Sequence, residues 1–254
     1  MSRSILFSFA HPDDESFCGV GLAARCLSEG ATVALLTATR GEEGKRGEPP
    51  ICSPEELPAR REAELRAAAA AVGIPHVHLL DYRDRQLSDA DPLEVRRHLV
   101  SVIRRHRPQV VVTFDPNGFN QHPDHVAISR FTSDAIAVAA DPRWLPEEGA
   151  AHGVQRLLWT PPMPPWESAG LARPGGAPGL DFIIDTSAWR EVKAAALRAH
   201  RTQHLSIDRC FFSRPDVDRI LSAEAYRHAW GPPLAHRPAP DVFVGTVPNG
   251  MRFA

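Results

Sequence analysis

Residues 4–15, Ser4-Ile5-Leu6-Phe7-Ser8-Phe9-Ala10-His11-Pro12-Asp13-Asp14-Glu15, decide the fold. Ser4 to Ala10 is a short apolar run bounded by Pro12, and it reads as a buried strand that ends in a dense polar cluster. Working outward, Phe17 to Ser28 carries Val20, Leu22, Ala23 and Leu27 with Gly30 just beyond, the pattern of a helix with a glycine stop. Ala31 to Thr37 is a second strand. Ser53-Pro54-Glu55-Glu56 has the cap, the proline and the acidic first turn of a helix start, and the alanine-rich Arg60 to Val72 continues it to Gly73. Val77 to Leu80 is a third strand, Asp91-Pro92 opens a helix to about Arg105, Val110 to Phe114 is a fourth strand, and Pro123 to Ala139 is helical. Apolar strands alternating with helices imply a parallel sheet covered on both faces. Right-handed crossovers make this an α/β, Rossmann-like, mostly parallel doubly wound sheet.

Beyond residue 140 the chain changes character. Proline and glycine concentrate between Pro161 and Gly179, a long loop of the kind that forms rims or lids. Strands at Val154 to Thr160 and Phe182 to Asp185 flank it. A helix over Ser187 to Gln203 and a last strand over Val242 to Val247 follow. The expectation is a single domain over residues 1–254, with a core at 1–140 and a C-terminal elaboration at 141–254 that completes the site.

Composition narrows the function classes. A net charge of −2 gives no long-range pull toward nucleic acid or anionic membrane. Arg104, Arg105 and Arg107 read as charge complementing the C-terminus of their own helix. The 4 cysteines (Cys18, Cys26, Cys52, Cys210) form no C-x-x-C pair, as in a reduced intracellular protein. The first apolar run is too short for a signal or a span, so a cytoplasmic location is expected. A homo-oligomer is compatible with the sequence, which does not decide the matter.

Two polar clusters fall at predicted strand ends, where open parallel sheets bind ligands. One is His11-Pro12-Asp13-Asp14-Glu15; the other is His122-Pro123-Asp124-His125. Either alone reads as a helix cap with proline at the first helical position. Together, if their strands are neighbours, they face one crevice. Two imidazoles and one carboxylate make a three-ligand zinc site with a place left for water, whose pKa falls to about 7. Of the adjacent Asp13 and Asp14, one can hold metal while the other serves as general base. A carboxylate paired to an imidazole fixes its tautomer and favours its charged form, which can stabilise an oxyanion.

The pair of motifs resembles the LmbE-like, or PIG-L, deacetylase family. Supporting similarities run through Thr37 to Glu42, Arg61 to Glu64, Tyr82 to Asp84, Asp115 to Gly118 and Lys193 to Gln203. The resemblance implies a zinc-dependent enzyme that hydrolyses the N-acetyl amide of a small acetylated amino sugar. It implies His11, Asp14 and His125 as metal ligands and Asp13 as general base. It further implies His122 as the oxyanion's support, Asp124 as the partner orienting His122, and Arg61 and Asp84 as contacts to sugar hydroxyls. Asn120 stands where members acting on the mycothiol precursor carry tyrosine, which shifts the phenol's part onto metal and His122.

Other features read more plainly. Gly19-Val20-Gly21-Leu22-Ala23-Ala24 matches the dinucleotide pattern G-x-G-x-x-A but does not follow the strand at once, so close helix packing is the better account. His200 and His204 read as a polar helix face or crevice rim, and His76 and His78 as strand-entry residues. Trp144, Trp159 and Trp166 read as packing rather than sugar platforms. Glu15 and Glu42 either line substrate or favour a helix start. The rivals are a non-haem iron oxygenase, which shares the two-histidine, one-carboxylate donor set; a nucleotide-binding module without hydrolysis; and an amidase on a thiol conjugate.

Overall fold

The computed structural model describes residues 3–161 and 180–248. Seven strands form one sheet in the order β3-β2-β1-β4-β5-β7-β6. They are β1 (Ser4–Phe9), β2 (Thr32–Thr39), β3 (His76–Tyr82), β4 (Val110–Phe114), β5 (Arg156–Thr160), β6 (Phe182–Asp185) and β7 (Ala223–Trp230). β1 to β5 are parallel; β7 runs antiparallel to β5 and to β6. The mostly parallel sheet expected from the sequence is therefore present. Its switch point lies between β1 and β4, where Ile5, Leu6 and Phe7 pair with Val110, Val111 and Val112. These residues are buried, as strands covered on both faces must be.

Helices α1 (Asp14–Cys18) and α2 (Val20–Ser28) replace the single helix expected over 17–28, with the break at Gly19. A Cβ on Gly19 would lie 2.6 Å from the ring of Phe7, so the chain bends where it passes closest to the sheet. α3 (Leu57–Val72) is preceded by a reciprocal cap in which Ser53 N donates to Glu56 Oε2 and Glu56 N to Ser53 Oγ. Gly73 ends it at φ 88°. α4 (Pro92–His106) starts on Asp91, whose side chain accepts from Leu93 N. α5 (Pro123–Ala140) starts on His122, and α6 (Arg190–Ala199) follows β6. Right-handed crossovers place α2 and α3, with α6 against them, on one face and α4 and α5 on the other.

One expected strand does not form. Residues 242–247 form turns, not a strand: Val242 and Phe243 are buried, but the Gln155 side chain, not a ladder, receives Val247 N–H. Apolar burial there comes from packing beneath a turn and not from strand pairing. β7 gives no strand signal in the sequence because its alternation places Glu224 among the buried positions. Arg104 also acts otherwise than expected. It is buried and donates to the carbonyls of Ala139, Val138, Asp141, Trp144 and Leu145, capping the end of α5 rather than of its own helix. Trp166 and residues 162–179 of the proline-rich loop lie outside the described residues.

Candidate metal centre and active site

The loops after β1, β2, β3 and β4 meet at one end of the sheet around a cleft of about 390 Å³. His11, Asp13 and Asp14 come from the first loop, Glu43 and Gly44 from the second, Asp84 and Arg85 from the third, and Asn120, His122 and His125 from the fourth. A larger depression, about 630 Å³, opens at the strand-entry end beside His76, His78 and His106. Among the described residues no carboxylate lines it, whereas histidines and carboxylates converge in the smaller cleft.

His11 and His125 are buried, and their hydrogen bonds fix which ring nitrogen bears a lone pair. His11 Nε2 lies 3.1 Å from Asp124 Oδ2 and 3.0 Å from Asp84 Oδ1, so it carries the hydrogen and donates. His125 Nδ1 donates to the Gly118 carbonyl at 3.2 Å, and the ring stacks on Phe114 at 4.0 Å. The free lone pairs, on His11 Nδ1 and His125 Nε2, then face each other at 3.1 Å. Asp14 closes the triangle: Oδ1 is 3.3 Å from His125 Nε2 and Oδ2 is 3.6 Å from His11 Nδ1. Oδ2 also accepts the N–H groups of Ala10 and His11, which pins the carboxylate to the strand end.

Four electron-rich atoms so close, the two ring nitrogens and both Asp14 oxygens, repel unless a proton or a metal cation lies among them. Zinc bonds of about 2.0–2.1 Å in a tetrahedron put neighbouring ligand atoms about 3.3 Å apart, the spacing seen here. The donor set fits a divalent metal. The surrounding field agrees. Burial opposes charge on His11, yet Asp124, Asp14 and Asp84 hold its proton affinity well above the ordinary histidine range. Burial would raise Asp14, but His125 and His11 hold it far below the usual carboxylate range. His11 also shares a cluster with His122 and His125, and another with Asp84 and Asp124. The latter pair clasps the Nε2–H of His11, as outer partners of a metal-bound histidine do.

Asp13 stands beside this triangle, 16% exposed, with Arg61 Nη2 3.4 Å from Oδ1. Burial pushes its carboxyl up to about 6 against the pull of Arg61. Arg61 itself is buried, and its guanidinium donates to the carbonyls of Gly41 and Pro12. Gly41 permits this, since a Cβ there would sit 2.0 Å from Arg61 Nη1. Arg61 and Asp84 both line the cleft, but Arg61 Nη1 and Nη2 and both Asp84 oxygens are engaged by the protein: Asp84 binds His11 and Glu43 N.

Asp124 requires a correction. Its carboxylate contacts His11 Nε2, Arg85 N at 2.6 Å and Leu87 N at 3.1 Å, so it orients His11 and not His122. His122 Nδ1 instead accepts Asp124 N–H at 3.2 Å, capping α5 and leaving Nε2 to carry the hydrogen. Burial and the neighbouring His11 and His125 lower its proton affinity, which works against the charged form expected from the sequence.

Some parts of the site had no signal in the sequence. Gln203, Ser206, Arg209 and Cys210 line the cleft from the C-terminal part, carried there by turns after α6. His200, expected on a polar face or rim, is wholly buried and pairs with Glu15 at 2.7 Å. His204 is half-buried, with Nδ1 on the Arg201 carbonyl. Glu42 accepts Asp84 N–H at 3.0 Å. Trp144 and Trp159 are absent from the lining of the cleft; they sit beneath Arg96 and Arg227 instead.

The start of α2 is also taken. Gly21 N and Leu22 N donate to the Glu224 carboxylate at 2.9 and 2.8 Å, and Lys193 Nζ binds the same group at 2.8 Å. A protein anion already holds the place a pyrophosphate would need.

The profile of one family, described as PIG-L, GlcNAc-PI de-N-acetylase, matches residues 6–136, more than half of the chain and all four of these loops. This chain belongs to the PIG-L family. A relative from Streptomyces griseus, 1D-myo-inositol 2-acetamido-2-deoxy-alpha-D-glucopyranoside deacetylase, is 34% identical over 97% of this chain and 90% of its own length. The conserved protein TT1542 from Thermus thermophilus superposes on this chain with a TM-score of 0.70 and 26% identity, over 92% of this chain and 97% of that one. N,N'-diacetylchitobiose deacetylase from Pyrococcus horikoshii superposes with a TM-score of 0.70 at 20% identity, over 98% of this chain and 88% of its own, a likeness of fold.

Proposed function

We propose that this chain hydrolyses the N-acetyl amide of a small amino-sugar conjugate, releasing acetate and a free amine, with one zinc ion per subunit held by His11, Asp14 and His125. The observation that carries the reading is the convergence of two histidine nitrogens, 3.1 Å apart, with the two oxygens of the Asp14 carboxylate, 3.3 Å from one and 3.6 Å from the other, beside an aspartate that is not one of the three residues. Family membership and the names of its relatives point to the same chemistry.

A zinc ion in this triangle supplies a water of pKa about 7 and polarises the amide carbonyl. The chain's own residues do the rest. Asp13 takes a proton from the attacking water through a carboxylate oxygen. His122 presents Nε2–H to the carbonyl oxygen as charge gathers there. Asp13 then returns the proton to the departing nitrogen. Asp124 and Asp84 hold His11 in its donor-outward tautomer, and Arg61 steadies the Asp13 loop. Asn120 accepts His122 N–H at 3.1 Å and borders the cleft, so no phenol assists from that position.

Among the described residues no helix is long and apolar enough to cross a membrane. The four cysteines are free thiols, which supports a cytoplasmic setting.

The test is acetate release from a panel of N-acetylated sugars and glycosides by zinc-loaded and chelated protein, with air excluded. Zinc-dependent release supports the reading. Silence across the panel ends it, and turnover that appears only when oxygen is admitted favours the oxygenase.

A further inference from the structure

Asp13 has φ 119° and ψ −30°, a conformation that a residue with a side chain rarely adopts. Such geometry persists only where the surroundings enforce it. The restraints on this backbone can be named. Its carbonyl accepts Ser16 N at 2.9 Å and Phe17 N at 3.1 Å. Its N–H donates to Glu15 Oε2 at 3.1 Å. Glu15 is 2% exposed, and its other oxygen receives Ser16 Oγ at 2.6 Å and His200 Nε2 at 2.7 Å. His200 is 0% exposed and lies 185 residues further along the chain.

The His200 end is itself firmly mounted. The residue terminates α6, and Thr202 just beyond donates through N and Oγ1 to Glu64 on α3 at 3.0 and 2.6 Å. Gln203 Nε2 binds the Lys45 carbonyl at 2.8 Å. Neither Glu15 nor His200 borders the cleft, so neither meets substrate. The pair is not an economical way to fill space. Buried ion pairs are often replaceable by apolar side chains without loss of stability. Here His200 Nδ1 is also buried with no hydrogen-bond partner among the described residues, a cost an aliphatic side chain would avoid.

We infer that His200 is a positioning residue: through Glu15 it clamps the strained backbone of Asp13 and so aims the general base at the metal-bound site. The inference rests on the deacetylase reading for its kinetic consequence but not for its structural one. Relaxing φ of Asp13 toward ordinary values would swing its Cβ away from the line set by His11 and Asp14. Misplacement of a reacting group by about 1 Å costs about a hundredfold in rate.

The experiment compares His200→Leu and His200→Gln in the zinc-loaded enzyme, each also built on Asp13→Asn. Glutamine keeps an N–H donor for Glu15; leucine does not. His200→Leu is expected to lower kcat for acetate release by about 10–100-fold, the range for outer partners of a metal site, with zinc content and KM little changed. His200→Gln recovers most of that loss. On Asp13→Asn the leucine change adds nothing, because residues that act as one unit are not additive. Hydrogen exchange of the peptide spanning residues 10–18, which needs no activity, speeds up with leucine and not with glutamine. An equal kcat loss in both backgrounds would make His200 merely structural and overturn the inference, as would unchanged exchange in the His200→Leu protein. Wild-type protein that releases no acetate would sink the deacetylase reading alone, and the exchange result would still decide the clamp.

Discussion

At the scale of single residues, division of labour between Asp13 and Asp14 is set by backbone geometry. Asp14 turns back to accept the N–H groups of Ala10 and His11, which brings its other oxygen to His125. Asp13, in its left-handed conformation, points instead toward Arg61. Asp13→Asn is therefore expected to keep stoichiometric zinc and lose at least about a hundredfold in acetate release, the scale of general acid–base catalysis; metal analysis beside steady-state kinetics checks both halves. His125→Ala removes one corner of the triangle, and the purified variant should fail to retain zinc through dialysis that leaves the parent loaded. Full occupancy after that dialysis would contradict the ligand assignment.

At the scale of elements, the buried carboxylate of Glu224 ties β7 to the start of α2 and to Lys193 of α6, and Tyr226 donates to it at 2.9 Å. Lys193 and Glu224 are both buried. Removing one partner of a buried pair strands the other, at a cost of about 3–5 kcal/mol. Lys193→Met should thus lower the thermal midpoint by roughly 6–20 °C, taking about 2–4 °C per kcal/mol for a chain of this size; an unchanged melting curve would refute it. At the strand-entry end, His106 Nε2 meets His78 Nε2 at 2.7 Å. Burial first, then His78, lower His106 to about 4. An unfolded histidine titrates near about 6.5, so between these values the unfolded chain binds a proton that the folded chain refuses. The stability this provides is complete above about pH 6.5 and is lost as pH falls toward 4. Urea unfolding at several pH values should show a shallower dependence across that window in His106→Gln than in the parent.

At the scale of the whole molecule, the switch point between β1 and β4 brings together two motifs more than a hundred residues apart. The C-terminal part closes the cleft from the other side and supplies the anion at the head of α2. A Rossmann-like sheet in which Glu224 occupies that helix start should not take a dinucleotide. Calorimetry with NAD is expected to give no binding heat, and saturable binding would revive the nucleotide-module rival.

Much of this was legible without coordinates. Local signals (short apolar runs, glycine stops, the cap at Asp91, and His-Pro-Asp turns at strand ends) depend on neighbours a few residues apart, so the first four strands, most of their helices and the two His-Pro-Asp clusters that meet in the cleft could be read directly. What only the tertiary structure decided involved partners distant in sequence. Asp124 lies beside His122 in the chain yet binds His11, because α5 begins at His122 and turns the carboxylate inward. Arg104 caps a helix that begins after it, and His200 is buried because α6 ends against Glu15. Polar groups taken into a core must find partners wherever the fold places them, and no spacing along the chain encodes which partner that will be.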